Sequence, residues 1–151
     1  MQAFAAPEIS PDGHWMAFAL GESGRSEVYV QPFPGPGGKL QISNGGGMFP
    51  RWSRNGRELF FLSLEPRIMV ADYTAKGDSF VPGKPRLWSE KRILFRDGGG
   101  PFPPYDIAPD GTRFAVLLYP DGTAEHQRPV NLTFLLNFFD ELRRRVPSGG
   151  K

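Results

Sequence analysis

The chain is expected to fold as an all-β protein of short antiparallel strands, and three observations carry that expectation. Its 151 residues include 19 glycines and 16 prolines, a density that sets turns at short intervals. Thirteen phenylalanines accompany them, and aromatic side chains favour the pleated, half-buried surface of a sheet. Finally, one short phrase occurs three times, as Ile9-Ser10-Pro11-Asp12-Gly13-His14-Trp15-Met16-Ala17-Phe18, as Trp52-Ser53-Arg54-Asn55-Gly56-Arg57-Glu58-Leu59-Phe60-Phe61 and as Ile107-Ala108-Pro109-Asp110-Gly111-Thr112-Arg113-Phe114-Ala115-Val116.

Each copy reads as an apolar residue, a small residue, an Asp-Gly or Asn-Gly pair, then an apolar run. Such a pair between apolar runs is a strong local signal for a β-hairpin. The turns predict Gly13, Gly56 and Gly111 at positive φ. Ser10 to Ser53 is 43 residues, matching the ~40–45 of a four-stranded propeller blade, and Ser53 to Ala108 is 55, a blade plus an insertion of roughly twelve residues. The fold class is therefore all-β, a β-propeller fragment of about three four-stranded blades. The chain reads as one domain, 1–151, with blades at about 5–45, 46–96 and 102–137.

In the first blade, Gly21 to Arg25 is a turn, Glu27 to Val30 the third strand and Lys39 to Ser43 the fourth. In the second, Arg67 to Ala71 is the third strand. Its outer strand is either Arg86-Leu87-Trp88 or Arg92 to Phe95, with inserted residues in Lys76 to Pro85 and in the Gly98 to Pro104 loop. Phe60 to Leu62 and Phe114 to Leu118 are apolar at consecutive positions, as strands covered on both faces are. The third blade continues with Asn131 to Leu136. A short helix at 137–146 then replaces a fourth strand: Asn137 is its N-cap, Asp140 and Glu141 lie in its first turn and Arg143 to Arg145 in its last. Phe138, Phe139, Leu142 and Val146 share one of its faces, and Pro147 stops it.

The Ser-Pro-Asp-Gly turn, followed by an aromatic or aliphatic strand and then by Val28-Tyr29-Val30, resembles the WD40-like repeat of the TolB family, the Pro-Asp repeat. The tract Gly24 to Gly35 and the ending Leu136 to Leu142 resemble the C-terminal half of propellers appended to bacterial serine/threonine kinases. The resemblance spans roughly residues 5 to 146. It implies a propeller fold, and relatives of about six blades. With no kinase segment ahead of the repeats, the chain looks like the last half of such a ring. Fold alone implies no activity.

Composition excludes several chemistries. Without cysteine there is no disulfide, thiolate metal site or cysteine nucleophile. A net charge of +2 spread along the chain does not suggest nucleic acid, and no stretch approaches the ~20 apolar residues of a membrane span. Met1 to Pro7 has no basic region or apolar core of a signal peptide; the compartment is open, with cytoplasm as the default.

No catalytic, cofactor-binding or metal-binding residue emerges, and no cofactor is expected. Asp12 and Asp110 are explained by their turns and fall short of the six to eight oxygens calcium takes. His14 and His126 are too few for zinc without cysteine. Gly21-Glu22-Ser23-Gly24 lacks a residue of a nucleophile elbow and precedes a strand. Pro36-Gly37-Gly38-Lys39 leads to Leu40 instead of Ser or Thr, so it is no phosphate loop. The proline-rich stretches from Pro32 and Pro101 read as rigid connectors, and Trp15, Trp52 and Trp88 as blade packing.

The favoured function is a non-catalytic binding or scaffold module that recognises a protein, peptide or small molecule through propeller loops. Two alternatives stand beside it: a six-bladed, lactonase- or hydrolase-like enzyme formed on dimerisation, or a relic fragment with no selected activity. The residues ahead of the second and third turns, Pro50-Arg51-Trp52 and Tyr105-Asp106-Ile107, offer only Asp106 as an acid to a central channel. Because propellers close at about four to eight blades, three repeats predict a homodimer completing six. Its interface is expected at Phe4, Ile9, Phe134, Leu135, Phe138 and Phe139, with Gln2 to Ala5 supplying an outer strand to the partner.

Overall fold

The computed structural model describes residues 5–21, 24–95 and 102–118. They form eleven strands and, among the described residues, no helix. The first blade is a four-stranded antiparallel sheet in sequence order, β1 (Ala5–Ile9), β2 (Trp15–Gly21), β3 (Ser26–Pro32) and β4 (Leu40–Gln41). The second comprises β5 (Met48–Trp52), β6 (Glu58–Leu62), β7 (Ile68–Lys76), β8 (Ser79–Pro82) and β9 (Arg86–Leu87). Two strands of the third are described, β10 (Tyr105–Ile107) and β11 (Phe114–Val116), paired antiparallel. Sheets stacked face to face, with β1 beside β5, make this an all-β propeller fragment.

The repeated phrase makes the same turn three times. Its chain reversal is closed by Ser10 N–H to the Trp15 carbonyl at 2.8 Å, by Ser53 N–H to Glu58 at 2.9 Å and by Ala108 N–H to Arg113 at 2.8 Å. The glycines at 13, 56 and 111 hold φ of 77°, 68° and 71°, as the sequence predicts. Only the glycine of each pair is left-handed. Asp12, Asn55 and Asp110 instead accept a backbone N–H two residues on with a side-chain oxygen, at 3.1, 2.9 and 3.0 Å. The acid or amide thus caps the turn, and the glycine supplies the backbone a Cβ would strain.

Two apolar layers hold the blades together. Between the first and second lie Trp15, Ala17, Val28 and Val30 against Trp52, Leu59, Phe61 and Tyr73. Between the second and third, Phe60, Leu62, Ile68 and Val70 meet Tyr105, with Phe114 and Val116 packed alongside. Every residue from Leu59 to Leu62 is buried, because both faces of β6 carry a neighbouring blade. Each large side chain so covered contributes about 1.5–3 kcal/mol relative to exposure. The expected two-sided cover does not extend to Phe114–Leu118: Phe114 and Val116 turn inward, while Ala115, Leu117 and Leu118 are exposed.

The outer strand of the second blade is Arg86–Leu87, paired to Met69 and Val70. Residues 92–95 do not extend this sheet; Ile93 instead bridges Leu118, and Leu94 N–H donates to the Leu117 carbonyl at 2.7 Å. The segment from Lys76 to Pro85 holds a β-hairpin: β7 runs past the sheet and pairs with β8 through Tyr73↔Pro82 to Lys76↔Ser79. Phe80 of β8 enters the layer between the first two blades, its ring 5.0 Å from those of Trp15 and Tyr73 and 6.0 Å from Trp52. Trp88 is partly exposed but lies 4.1 Å from the ring of Phe114. The fourth strand of the third blade, the helix at 137–146 and its apolar stripe lie outside the described residues.

Candidate functional site

The first strands of the three blades place one residue type after another at the same level. Ile9, Trp52 and Ile107 pair with Met16, Leu59 and Phe114, and one step earlier Glu8, Arg51 and Asp106 pair with Ala17, Phe60 and Ala115. The repeat therefore aligns an acid, a base and an acid on the inner strands. Beside them opens a cleft of about 640 Å³ lined by Glu8, Ile9, Arg51, Arg54, Asp106 and Pro109, together with Pro11, Trp52, Ile107 and Ala108. All three turns reach it. Glu8 was not singled out from the sequence, which credited the inner strands with Asp106 alone; extending the repeat one residue toward the N-terminus exposes it.

Two bulges fix these side chains. The β1–β2 register shifts between Ala5 and Glu8, and the β5–β6 register between Met48 and Arg51. Pro7 and Pro50 fall at these shifts, where a missing N–H costs no ladder bond. Phe49 beside Pro50 takes a φ of 53°, an uncommon conformation for a residue with a Cβ.

Glu8 is tied across to the second blade by three contacts. Its Oε2 accepts from Trp52 N–H at 3.0 Å, its Oε1 lies 3.3 Å from Arg51 Nη1, and its carbonyl accepts from the Trp52 indole N–H at 3.0 Å. Burial pushes the Glu8 carboxyl above its ordinary range, and the Asp106 charge adds to that rise; Arg51 and the Trp52 N–H offset only part of it. Asp106, at the corresponding level of the third blade, is exposed and accepts from its own neighbour Ile107 N–H at 2.9 Å. Arg54 is exposed and pairs with no acid among the described residues. With Glu8 and Arg51 engaged with each other, the charges left for a ligand are Arg54 and Asp106, of opposite sign, in a cleft also lined by the apolar Ile9, Ile107 and Ala108.

Of the interface residues expected from sequence, Ile9 is 40% exposed and lines this cleft. Phe4, Phe134, Leu135, Phe138 and Phe139 lie outside the described residues. His14 is exposed on its turn, and His126 is not described. Among the described residues no three His, Asp or Glu gather as a metal-ligand set, and no helix is long and apolar enough to cross a membrane.

No protein-family model matches the sequence, and no curated protein matches it. Among solved structures, the crystal structure of TolB from Acinetobacter baumannii is similar, with a TM-score of 0.51 and 25% identity. The match covers 79% of this chain and 27% of that one, so the chain spans about a quarter of the length of the protein it resembles. The recurrent turn, the stacked antiparallel sheets and this likeness together give the chain the fold of a TolB-type β-propeller fragment.

Proposed function

We propose that the chain is a non-catalytic binding module that holds a protein or peptide partner in the cleft at the ends of its inner strands. The observation that carries this reading is the convergence of three equivalent positions on one cleft, with Arg54 and Asp106 left uncommitted among its lining. Concave sites with an apolar floor and a few convergent polar groups are the usual form of a ligand site. Opposite charges lining one cleft suit a polypeptide segment carrying both signs, since they fix its register as well as its affinity. No set of nucleophile, base and oxyanion donor is assembled by the cleft residues, which supports binding over catalysis.

The test is selection of peptides from a random displayed library against the immobilised protein. Enriched peptides should compete with one another and should lose at least about tenfold in affinity on Asp106→Lys or Arg54→Glu, the scale of a lost charged contact. Substitution of Lys76, at the far end of β7, should change nothing. Failure to enrich any sequence, or enrichment insensitive to both cleft substitutions, overturns the reading.

A further inference from the structure

The chain holds two Asn-Gly pairs, Asn44-Gly45 and Asn55-Gly56, and the fold treats them differently. In the second hairpin turn the pair is held at three points. Asn55 Oδ1 accepts from Arg57 N–H at 2.9 Å, its Nδ2 donates to Glu58 Oε2 at 2.8 Å, and the N–H of Gly56 donates to the Ser53 carbonyl at 3.1 Å. Asn44 lies in the segment between β4 and β5 that joins the first blade to the second. Asn44 and Gly45 are both exposed, and a Cβ on Gly45 would meet nothing within 4 Å. Among the described residues neither the Asn44 amide nor the Gly45 N–H makes a hydrogen bond. The residues on either side are fixed. Glu27, 4% exposed, accepts from Ser43 Oγ with one carboxylate oxygen and from Gly46 N–H, at 3.0 Å, with the other, which Arg25 Nε also approaches at 3.0 Å. Ser43 Oγ accepts from Val28 N–H at 2.8 Å, and Gly47 N–H donates to the Ser26 carbonyl at 2.8 Å.

We propose that Asn44-Gly45 is a site of spontaneous deamidation whose product loosens the link between the first two blades, while Asn55-Gly56 is protected by its turn. The Gly45 backbone nitrogen gives its proton to solvent base and attacks Asn44 Cγ. A new C–N bond forms, the bond from Cγ to the side-chain nitrogen breaks and ammonia leaves, closing a succinimide ring. Water then opens the ring at one of its two carbonyls, giving aspartate or isoaspartate. Glycine favours the attack because no Cβ crowds its nitrogen. The side chain and the next peptide must rotate into line, and at 44 both are free to do so. At 55 the amide must first leave Arg57 and Glu58, and the Gly56 N–H the Ser53 carbonyl, so reaction waits on local opening. Isoaspartate routes the main chain through the side chain and lengthens it by one methylene between Ser43 and Gly46, both tied to the same carboxylate. That stretch has no slack: Gly46 holds φ 94° with Leu64 filling the place of a Cβ, and Gly47 packs on Ser43 and Val28. Either product also adds a negative charge to a segment folded around the buried Glu27 carboxylate, and the two repel. This inference does not depend on the peptide-binding reading, since neither Asn44 nor Gly45 lines the cleft.

Peptide mapping of the whole chain after incubation at mildly alkaline pH tests it, with asparagine, aspartate and isoaspartate separated at each position. Position 44 should convert at least about tenfold faster than position 55, since two side-chain hydrogen bonds must break before Asn55 reacts. In concentrated urea the two should convert at similar rates, because the fold no longer distinguishes them. Gly45→Ala should slow conversion at 44, and Glu58→Ala should speed it at 55 without touching 44. The thermal midpoint of the parent should fall as isoaspartate accumulates, while that of Asn44→Gln, incubated alongside, should stay level. Equal rates at both positions in the folded chain, conversion at 55 ahead of 44, or reaction at 44 only in urea would overturn the proposal. So would a midpoint that holds steady while position 44 converts.

Discussion

The hydroxyl of Tyr105 donates to the carbonyl of Phe49 at 2.7 Å, both residues buried, and so pins the third blade to the strained bulge of the second. Tyr105→Phe leaves that carbonyl without a partner away from water, which costs about 1–3 kcal/mol. The same bond has an alkaline signature. Burial raises the Tyr105 phenol well above its ordinary value of 10, and burial also raises Tyr73, to about 12. A raised folded-state value means stability fully present below pH ~10 and lost as pH climbs beyond it, because only the unfolded chain releases the proton easily. Urea unfolding between pH 8 and 11 should show a steeper loss for the parent than for Tyr105→Phe. Parallel curves would show that this phenol does not govern the alkaline limb.

Two serines at equivalent places in the repeat should respond in opposite ways to the same substitution. Ser10 Oγ accepts from the buried Trp15 N–H at 2.9 Å and donates to Asp12 at 2.5 Å, whereas Ser53 Oγ, equally buried, has no partner among the described residues. In the second turn Asn55 stands where the others have aspartate, and its amide is turned to Glu58 at 2.8 Å. Ser10→Ala therefore orphans a backbone donor and should cost about 1–2 kcal/mol, while Ser53→Ala removes an unsatisfied hydroxyl and should be neutral or stabilising. Equal losses in chemical denaturation would refute the distinction.

The three turn glycines share a backbone conformation but not a neighbourhood. A Cβ on Gly13 or Gly56 meets nothing within 4 Å, so replacement there costs only the left-handed strain, about 1–3 kcal/mol for a valine. On Gly111 it would also stand 2.7 Å from Ser53 Oγ. Gly111→Ala should thus destabilise more than Gly13→Ala, and pairing it with Ser53→Gly should recover the difference. A double-mutant cycle with no coupling would contradict this contact between the second and third blades.

The acids of the cleft and of the turns respond to pH with opposite sign. The Thr112 N–H, then the Arg113 guanidinium, hold Asp110 down at about 2; its stabilising effect is present above the ordinary carboxyl range and fades as pH falls toward that value. Glu8, raised chiefly by burial, favours the folded state most when protonated, and that advantage is lost as pH rises through its elevated value. Glu8→Gln keeps an acceptor for the Trp52 N–H and removes the buried charge. It should leave stability at pH 7 unchanged or slightly higher, despite breaking an ion pair. A clear drop in the urea midpoint would mean that the Arg51 attraction outweighs the cost of burying the carboxylate.

The turns were legible in the sequence because their chemistry is local: a glycine free to take positive φ and an acid or amide that caps the backbone two residues on leave a fixed pattern. The cleft was half legible. Asp106 was noticed and Glu8 was not, because the repeat was aligned from its apolar residue, and the charge-bearing position lies one step before it. The buried role of Phe80 left no signal of its own. Ser79-Phe80-Val81-Pro82 sits among polar and glycine-rich residues and reads as part of an insertion; only the over-long β7, which carries the hairpin back across the first two blades, brings its ring between two tryptophans.

That hairpin gives the last prediction. Phe80 touches Trp15 from the first blade and Trp52 and Tyr73 from the second, so its ring acts as a wedge closing one end of their shared apolar layer. Trimming it to alanine removes the transfer free energy of the ring and leaves a cavity walled by three rigid aromatics that cannot collapse into it, a loss of about 3–5 kcal/mol. Phe80→Leu keeps most of the volume and should cost less than half as much. Val81, on the opposite side of the same strand and 61% exposed, should tolerate alanine within about 0.5 kcal/mol. Because Phe80 bridges two blades, its loss should also lower the cooperativity of unfolding, seen as a shallower dependence on urea together with a lower midpoint. If Phe80→Ala instead unfolds at the parent's midpoint, the hairpin is an appendage and the first two blades are held together without it.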